Sequence, residues 1–160
     1  MDVEKENNMP SLLVHALLSF IAAAGFGVIF NAPKKSLIQC GLVGMIGWLV
    51  YWLMSNARYD VSVAAFSGAF AVALIGHIMA KYYKTPIIIF IVAGIIPLVP
   101  GGSAYDAMRH VVSNDYTGSI PLAAKAFIIS GAIAMGLVFA EVLVQITMTC
   151  IRKLKQLQAS

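Results

Sequence analysis

Apolar residues fall in long runs along this chain, separated by short polar stretches. Four runs, residues 11–30, 36–55, 61–80 and 123–149, reach the roughly 20 residues that a helix needs to cross about 30 Å of hydrocarbon. The last is over-long, which predicts tilt or projection beyond the bilayer. Between the last two lies a fifth run, residues 86–99, which at about 1.5 Å per residue reaches only about 21 Å. It is rich in Ile and Val and would suggest a strand in water. An isolated strand in lipid cannot pair its backbone, so a helix is predicted, with Thr85 as N-cap and Pro86 at its first position. The pattern predicts an all-α integral membrane protein of about five transmembrane helices, forming a single membrane domain over residues 1–160. Its fourth span is broken by proline and glycine and is followed by a short amphipathic helix.

The break is the sequence Ile95-Ile96-Pro97-Leu98-Val99-Pro100-Gly101-Gly102-Ser103-Ala104-Tyr105-Asp106. Proline brings no donor, so Pro97 frees the carbonyl of Ala93 and Pro100 frees that of Ile96. Gly101 and Gly102 permit a sharp turn, and Ser103 is placed to cap a new helix with Asp106 three residues on. Ala104, Ala107, Met108, Val111 and Val112 form an apolar stripe on that helix. Asp106, Arg109, His110 and Ser113 lie off the stripe, and Asn114-Asp115 ends it. The N–H groups of a helix start suit a carboxylate, while freed carbonyls and Asp106 suit an ammonium group. Pro97, Pro100, Gly101, Gly102, Ser103, Tyr105, Asp106 and Arg109 are therefore candidate substrate-binding or gating residues for a small zwitterionic or anionic metabolite. The alternative is a span ended by prolines and followed by a helix lying on the outer membrane surface.

Composition agrees with the lipid bilayer as surroundings. The chain is 60% hydrophobic and 11% charged, with a mean hydropathy of +0.86, far from soluble domains. Its pI of about 9.2 does not point to nucleic acid, because the basic residues sit at the ends of runs. Asp2, Glu4 and Glu6 against Lys5 give the wrong charge for a secretory signal, so the first run is expected to be retained. Cys40 and Cys150 form no disulfide framework and are expected to be free thiols. With five crossings, Lys34, Lys35, Lys81, Lys84, Arg152, Lys153 and Lys155 share one side, and Lys5, Arg58, Arg109 and Lys125 the other. The positive-inside rule then predicts an outer N-terminus and a cytoplasmic C-terminus.

Small residues recur at helical spacing in Gly41, Gly44 and Gly47, in Ala65, Ala69 and Ala73, and in Ala132, Gly136 and Ala140. Such stripes allow close helix approach in lipid. They fit a compact bundle or a face for a partner. Trp48, Tyr51 and Trp52 at an outer boundary, and Tyr82 and Tyr83 at an inner one, read as aromatic belts.

The segment Ile96-Pro97-Leu98-Val99-Pro100-Gly101, followed by Ser103, Ala104, Tyr105, Ala107 and Met108, resembles the signature of the threonine/serine exporter family, and within it the smaller, C-terminal-type half. Gly25-Phe26-Gly27-Val28-Ile29-Phe30-Asn31-Ala32-Pro33 is similar to the end of that family's first span and its loop. The resemblance covers nearly the whole chain. It implies a subunit of a secondary exporter in a bacterial inner membrane, moving threonine, serine or similar small hydrophilic metabolites out of the cell. It also implies a larger membrane subunit of the same family as partner. The alternatives are an exporter half for small dicarboxylates, or a passive assembly subunit with no substrate path of its own.

A proton-coupled exporter needs a titratable group within the membrane, and Asp106, Glu141 and His77 are the candidates. The plainer reading of Glu141 is an interfacial carboxylate or a partner for Lys153 or a neighbouring span. For His77 it is a hydrogen bond to a neighbour. No phosphate-binding G-x-x-x-x-G-K-[ST] and no metal-ligand spacing occur, so neither ATP hydrolysis nor a cofactor is expected. Ser103 with His110 superficially suggests a nucleophile and base. The two lie about 10 Å apart along one helix, and Ser103 is better used as a cap, so no enzyme is expected.

Overall fold

A computed structural model describes the backbone of residues 3–158 and the side chains of residues 12–150. The side chains of Asp2, Glu4, Lys5, Glu6, Arg152, Lys153 and Lys155, which carry part of the charge argument, lie outside the described residues. The chain forms α1 (Val3–Ile29), α2 (Leu37–Asn56), α3 (Val61–Tyr83), α4 (Ile87–Ile95), α5 (Gly101–Val112) and α6 (Tyr116–Gln158), with 3₁₀ turns at Lys34–Ser36 and Ile96–Leu98. There is no strand among the described residues, so the all-α membrane architecture holds. Four helices are long and apolar enough to cross a bilayer, and a fifth span results if the bent pair α4–α5 is one.

Four helices stop in the same way. Asn31, Arg58, Lys84 and Asn114 have φ of 54°, 64°, 52° and 60°, the left-handed conformation that reverses the chain after a last turn. The next amide then reaches back to an orphan carbonyl. Ala32 donates to Gly27 at 2.9 Å, Tyr59 to Met54 at 3.3 Å, Thr85 to Ala80 at 3.2 Å, and Asp115 to His110 at 2.9 Å. In lipid, where no water waits for a free carbonyl, this closure is what lets the polypeptide leave a helix.

The small-residue stripes are the seams of the bundle. α2 meets α1 where a side-chain carbon on Gly41 would lie 2.6 Å from Phe20, and one on Gly44 would collide with Ala23. It meets α3 where one on Gly68 would lie 2.9 Å from the Gly47 carbonyl. α3 meets α6 through fully buried Ala65 and Ala69 and through Gly136, where a Cβ would stand 2.6 Å from the Phe66 carbonyl oxygen. α4 sits against α1, α2 and α3, and α5 packs chiefly on α6. Phe90 and Ala93 of α4 are buried, so the short fourth helix is a core element.

The structure moves several expected boundaries. α4 starts at Ile87 with Pro86 as its N-cap, and the Thr85 hydroxyl donates back to the Tyr83 carbonyl at 3.1 Å instead of capping. α6 begins at Tyr116 and carries Pro121 inside it, seven residues before the expected span start. Asp115 sets that start by accepting the Gly118 amide at 3.0 Å, an N-cap that hydropathy does not register. The stripe expected on α5 is buried only at Ala107, while Met108 and Val112 are 65% and 77% exposed. An apolar surface is stable in lipid and need not face protein.

Candidate functional site

The break between α4 and α5 is built from three consecutive local structures. Ile96–Leu98 tightens into a 3₁₀ turn, in which the Val99 amide donates to the Ile96 carbonyl at 3.3 Å. Pro100, with φ −76° and ψ 51°, then makes an inverse γ-turn, closed by the Gly101 amide on the Val99 carbonyl at 2.8 Å. α5 follows at once, with its first helical bond from Ala104 to the Pro100 carbonyl at 3.1 Å. The two helical segments diverge by 57°.

This corrects two expectations. Ser103 is not the N-cap, because Pro100 holds that position and no side chain caps α5. Gly101 and Gly102 do not turn the chain, since neither has positive φ and both already belong to the helix. Proline at the γ-turn fixes the bend instead. Asp106 therefore lies beyond the first turn and closes no capping box.

Leu98 is 4% exposed and seats the break on the bundle. Its methyl groups lie over Gly68 and Gly47, where a Cβ would be 2.5 and 3.4 Å away. Beside it opens a cavity of about 270 Å³, lined by Trp48, Tyr51, Val61, Pro97, Leu98, Val99, Pro100, Gly102, Ser103, Lys125 and Ile129. Among the described residues its polar side chains are those of Trp48, Tyr51, Ser103 and Lys125. The amides of Gly102 and Ser103 have no acceptor among the described residues, as the first turn of an uncapped helix requires. Lys125 adds an ammonium, and Ser103 and Tyr51 add hydroxyls. No carboxylate lines the cavity among the described residues. The arrangement suits an anionic group, through the charge of Lys125 and the positive end of the helix dipole.

Of the residues expected at this site, Pro97, Pro100, Gly102 and Ser103 come together at the cavity, and Gly101 adjoins it in the chain. Tyr105, Asp106 and Arg109 do not line it and are exposed. The ammonium-binding pole expected from Asp106 is therefore not assembled here. His110 is committed elsewhere, with Nδ1 2.8 Å from Asp115 Oδ2, so it does not serve Ser103. Trp48 and Tyr51, which read as belt residues in the sequence, and Lys125, which reads only as a loop-side charge, also line the cavity. The usable signal was a lone cation two residues inside an apolar run.

At the other end of the bundle, His77 and Glu141 meet. His77 follows Ala73 by four residues and continues the small-residue seam of α3. Its Nε2 lies 3.2 Å from Glu141 Oε2 across the α3–α6 contact. Its Nδ1 lies 3.1 Å from the Ala73 carbonyl, and Gln145 donates to Glu141 Oε1 at 3.0 Å. Below the pair the seam opens into a groove of about 800 Å³, lined by His77 and Lys81 on α3 and by apolar residues of both helices.

No solved structure matches this chain. The family described as threonine/serine exporter, ThrE, matches residues 15–143, a span that includes the break, the cavity at Lys125 and the His77–Glu141 contact. That family transports rather than catalyses, in keeping with a membrane bundle of this architecture. By the extent of that match, the chain belongs to the threonine/serine exporter family.

Proposed function

We propose that the chain is one subunit of a secondary exporter in a bacterial inner membrane. It moves threonine, serine or similarly small hydrophilic metabolites out of the cell, coupled to protons, together with a larger family member. The observation that carries this reading is the cavity at the broken span. Gly102, Ser103 and Lys125 line it, with no acidic residue among the described ones, an arrangement that suits a substrate carboxylate. Charge bias supports an outer N-terminus and a cytoplasmic C-terminus, which puts this cavity toward the outside and His77 with Glu141 toward the cytoplasm. Asp106, exposed on α5, is then a proton-site candidate on the outer side. Large apolar residues left exposed on α5 and α6, among them Met108, Val112, Ile120 and Phe127, are compatible with lipid and with a partner's spans.

The test is efflux of preloaded labelled threonine and serine from cells expressing the chain alone, the larger subunit alone, and both. Efflux only with both supports a two-component exporter. No efflux from a folded, co-purifying pair removes the amino acid assignment. The absence of Asp106 from the cavity lining favours a second reading, an exporter half for small dicarboxylates, and labelled succinate belongs in the same assay. Undiminished flux from complexes carrying substitutions at Pro97, Pro100 and Lys125, assembled at normal levels, would make the chain a supporting subunit.

A further inference from the structure

The His77–Glu141 contact has a fixed proton count. A carbonyl oxygen only accepts, so the bond from His77 Nδ1 to Ala73 requires the ring proton on Nδ1. Nε2 then faces Glu141 Oε2 at 3.2 Å, and a hydrogen bond there needs one more proton. That proton sits on Nε2, giving imidazolium and carboxylate, or on Oε2, giving imidazole and carboxylic acid. Both forms are neutral overall, and moving the proton between them transfers no net charge. Losing it leaves a charge of −1 inside the membrane domain and a single ring proton, which can serve Ala73 from Nδ1 or Glu141 from Nε2 but not both. Gaining another leaves two donors facing each other and a charge of +1. Charge without a partner is costly at this depth, about 9 Å from the end of α3.

We infer that His77 and Glu141 bind one exchangeable proton as a unit, and that this is the proton coupled to export. The second half of the inference rests on the exporter reading above; the first does not. The proton has a route, because His77 lines the groove that opens between α3 and α6. It also has a mechanical consequence. The pair ties α3 to α6 just where the tight alanine and glycine seam gives way to the groove, so removing the proton makes the bond that closes the seam compete with the Ala73 bond for one ring proton. The surrounding groups are few. Lys81 and Tyr82 share the groove with His77, and Gln145 holds the second carboxylate oxygen. α2 and α4 approach this end of α3 through Cys40, Phe90 and Ile91, against Gly76, Met79 and Ala80. Among these, Lys81 is the one permanent charge.

The first measurement uses the full-length wild-type chain in lipid vesicles. Ring nitrogen signals of His77 by NMR and the Glu141 carboxyl stretch by infrared are followed against pH. The expected result is a single step in which both signals move together, with one proton released per chain. Two separate steps, or a His77 signal unchanged by Glu141→Gln, overturn the shared proton. The second measurement compares His77→Gln and Glu141→Gln in the complete complex. Both variants are expected to keep exchange of labelled threonine between equal pools and to lose export driven by a pH gradient, and the double variant to do no worse than either. Normal gradient-driven export by a variant overturns the coupling role. A wild-type complex that moves no threonine is recognised before any variant is compared. It overturns the exporter reading and the coupling role with it, and leaves the one-step titration to decide the shared proton.

Discussion

His110, on the last turn of α5, reaches over the junction and places Nδ1 2.8 Å from Oδ2 of Asp115, the residue that opens α6. The other oxygen of Asp115 accepts the Gly118 amide at 3.0 Å and the Thr117 hydroxyl at 2.9 Å. Helix end and helix start are thus fastened through one carboxylate. The Gly118 amide, then His110 and Thr117, hold that carboxyl below its ordinary value. A carboxyl lowered by folding adds stability that is full above the ordinary carboxylate range. The stability declines as pH falls through that range and is gone below the lowered value. Protection of the Gly118 and Ser119 amides, taken relative to their intrinsic exchange rates, is therefore expected to fall only in acid. Asp115→Asn, which keeps a capping oxygen, should flatten that dependence, and Asp115→Ala should raise exchange at every pH. An unchanged acid transition in Asp115→Asn would refute the assignment.

The α3–α6 seam should tolerate no added carbon at Gly136. A Cβ there stands 2.6 Å from the Phe66 carbonyl oxygen and 3.2 Å from the Ala69 methyl, and backbone cannot swing away as a side chain can. Gly136→Ala is expected to destabilise the bundle by about 1–3 kcal/mol, the usual cost of overpacking. Gly131 lies on the same helix with nothing within 4 Å of a Cβ. Gly131→Ala should be neutral, or stabilising by up to about 1 kcal/mol through helix propensity alone. Thermal unfolding in detergent separates the two, and equal melting points would show that the seam is looser than described.

Hydropathy revealed α2 and α3 almost to the residue, because lipid leaves a span little choice but helix. Prolines 97 and 100 located the break for the same reason. Local chemistry was read less well. Glycine was assigned the turn that Pro100 makes, and Ser103 a cap that lies two residues inside α5, because a γ-turn leaves no mark beyond a proline. The start of α6 was hidden by Tyr116, Thr117, Ser119 and Pro121, whose polarity looks like a loop until Asp115 is seen as its cap. His77 and Glu141 were each legible as polar residues in apolar runs. Their meeting was not, because it depends on the register of two helices 64 residues apart. The alanine stripe Ala65, Ala69, Ala73 points to His77 by the same four-residue step, and Ala140 stands beside Glu141. Matching the two stripes would have suggested the pair.

Arg58 follows α2 with φ 64°, a conformation that costs a residue with a Cβ about 1–2 kcal/mol. Glycine relieves that cost in the folded state but gives back part of it as chain entropy in the unfolded one. Arg58→Gly is thus expected to stabilise the protein by about 1 kcal/mol, the scale of C-cap effects. Arg58→Ala should not, since it keeps the strained backbone and a Cβ. Parallel denaturation of the two variants checks this, and equal gains would place the effect in lost charge.

Lys125 tests the carboxylate reading most directly, because among the described residues it is the one cationic side chain lining the cavity. A hydrogen bond to a charged group contributes about 1.5–3 kcal/mol, so Lys125→Gln should raise the half-saturating concentration of a carboxylate substrate by about 10- to 100-fold. Ser103→Ala removes one neutral hydroxyl and should cost about 0.5–1.5 kcal/mol. Arg58→Gln is the control, a cation assigned to the same side that lines no part of the cavity. The comparison also separates the substrate classes. A dicarboxylate presents two negative charges to the Lys125 ammonium, and so should lose more affinity than threonine when Lys125 is neutralised. A larger loss for threonine would count against the dicarboxylate reading.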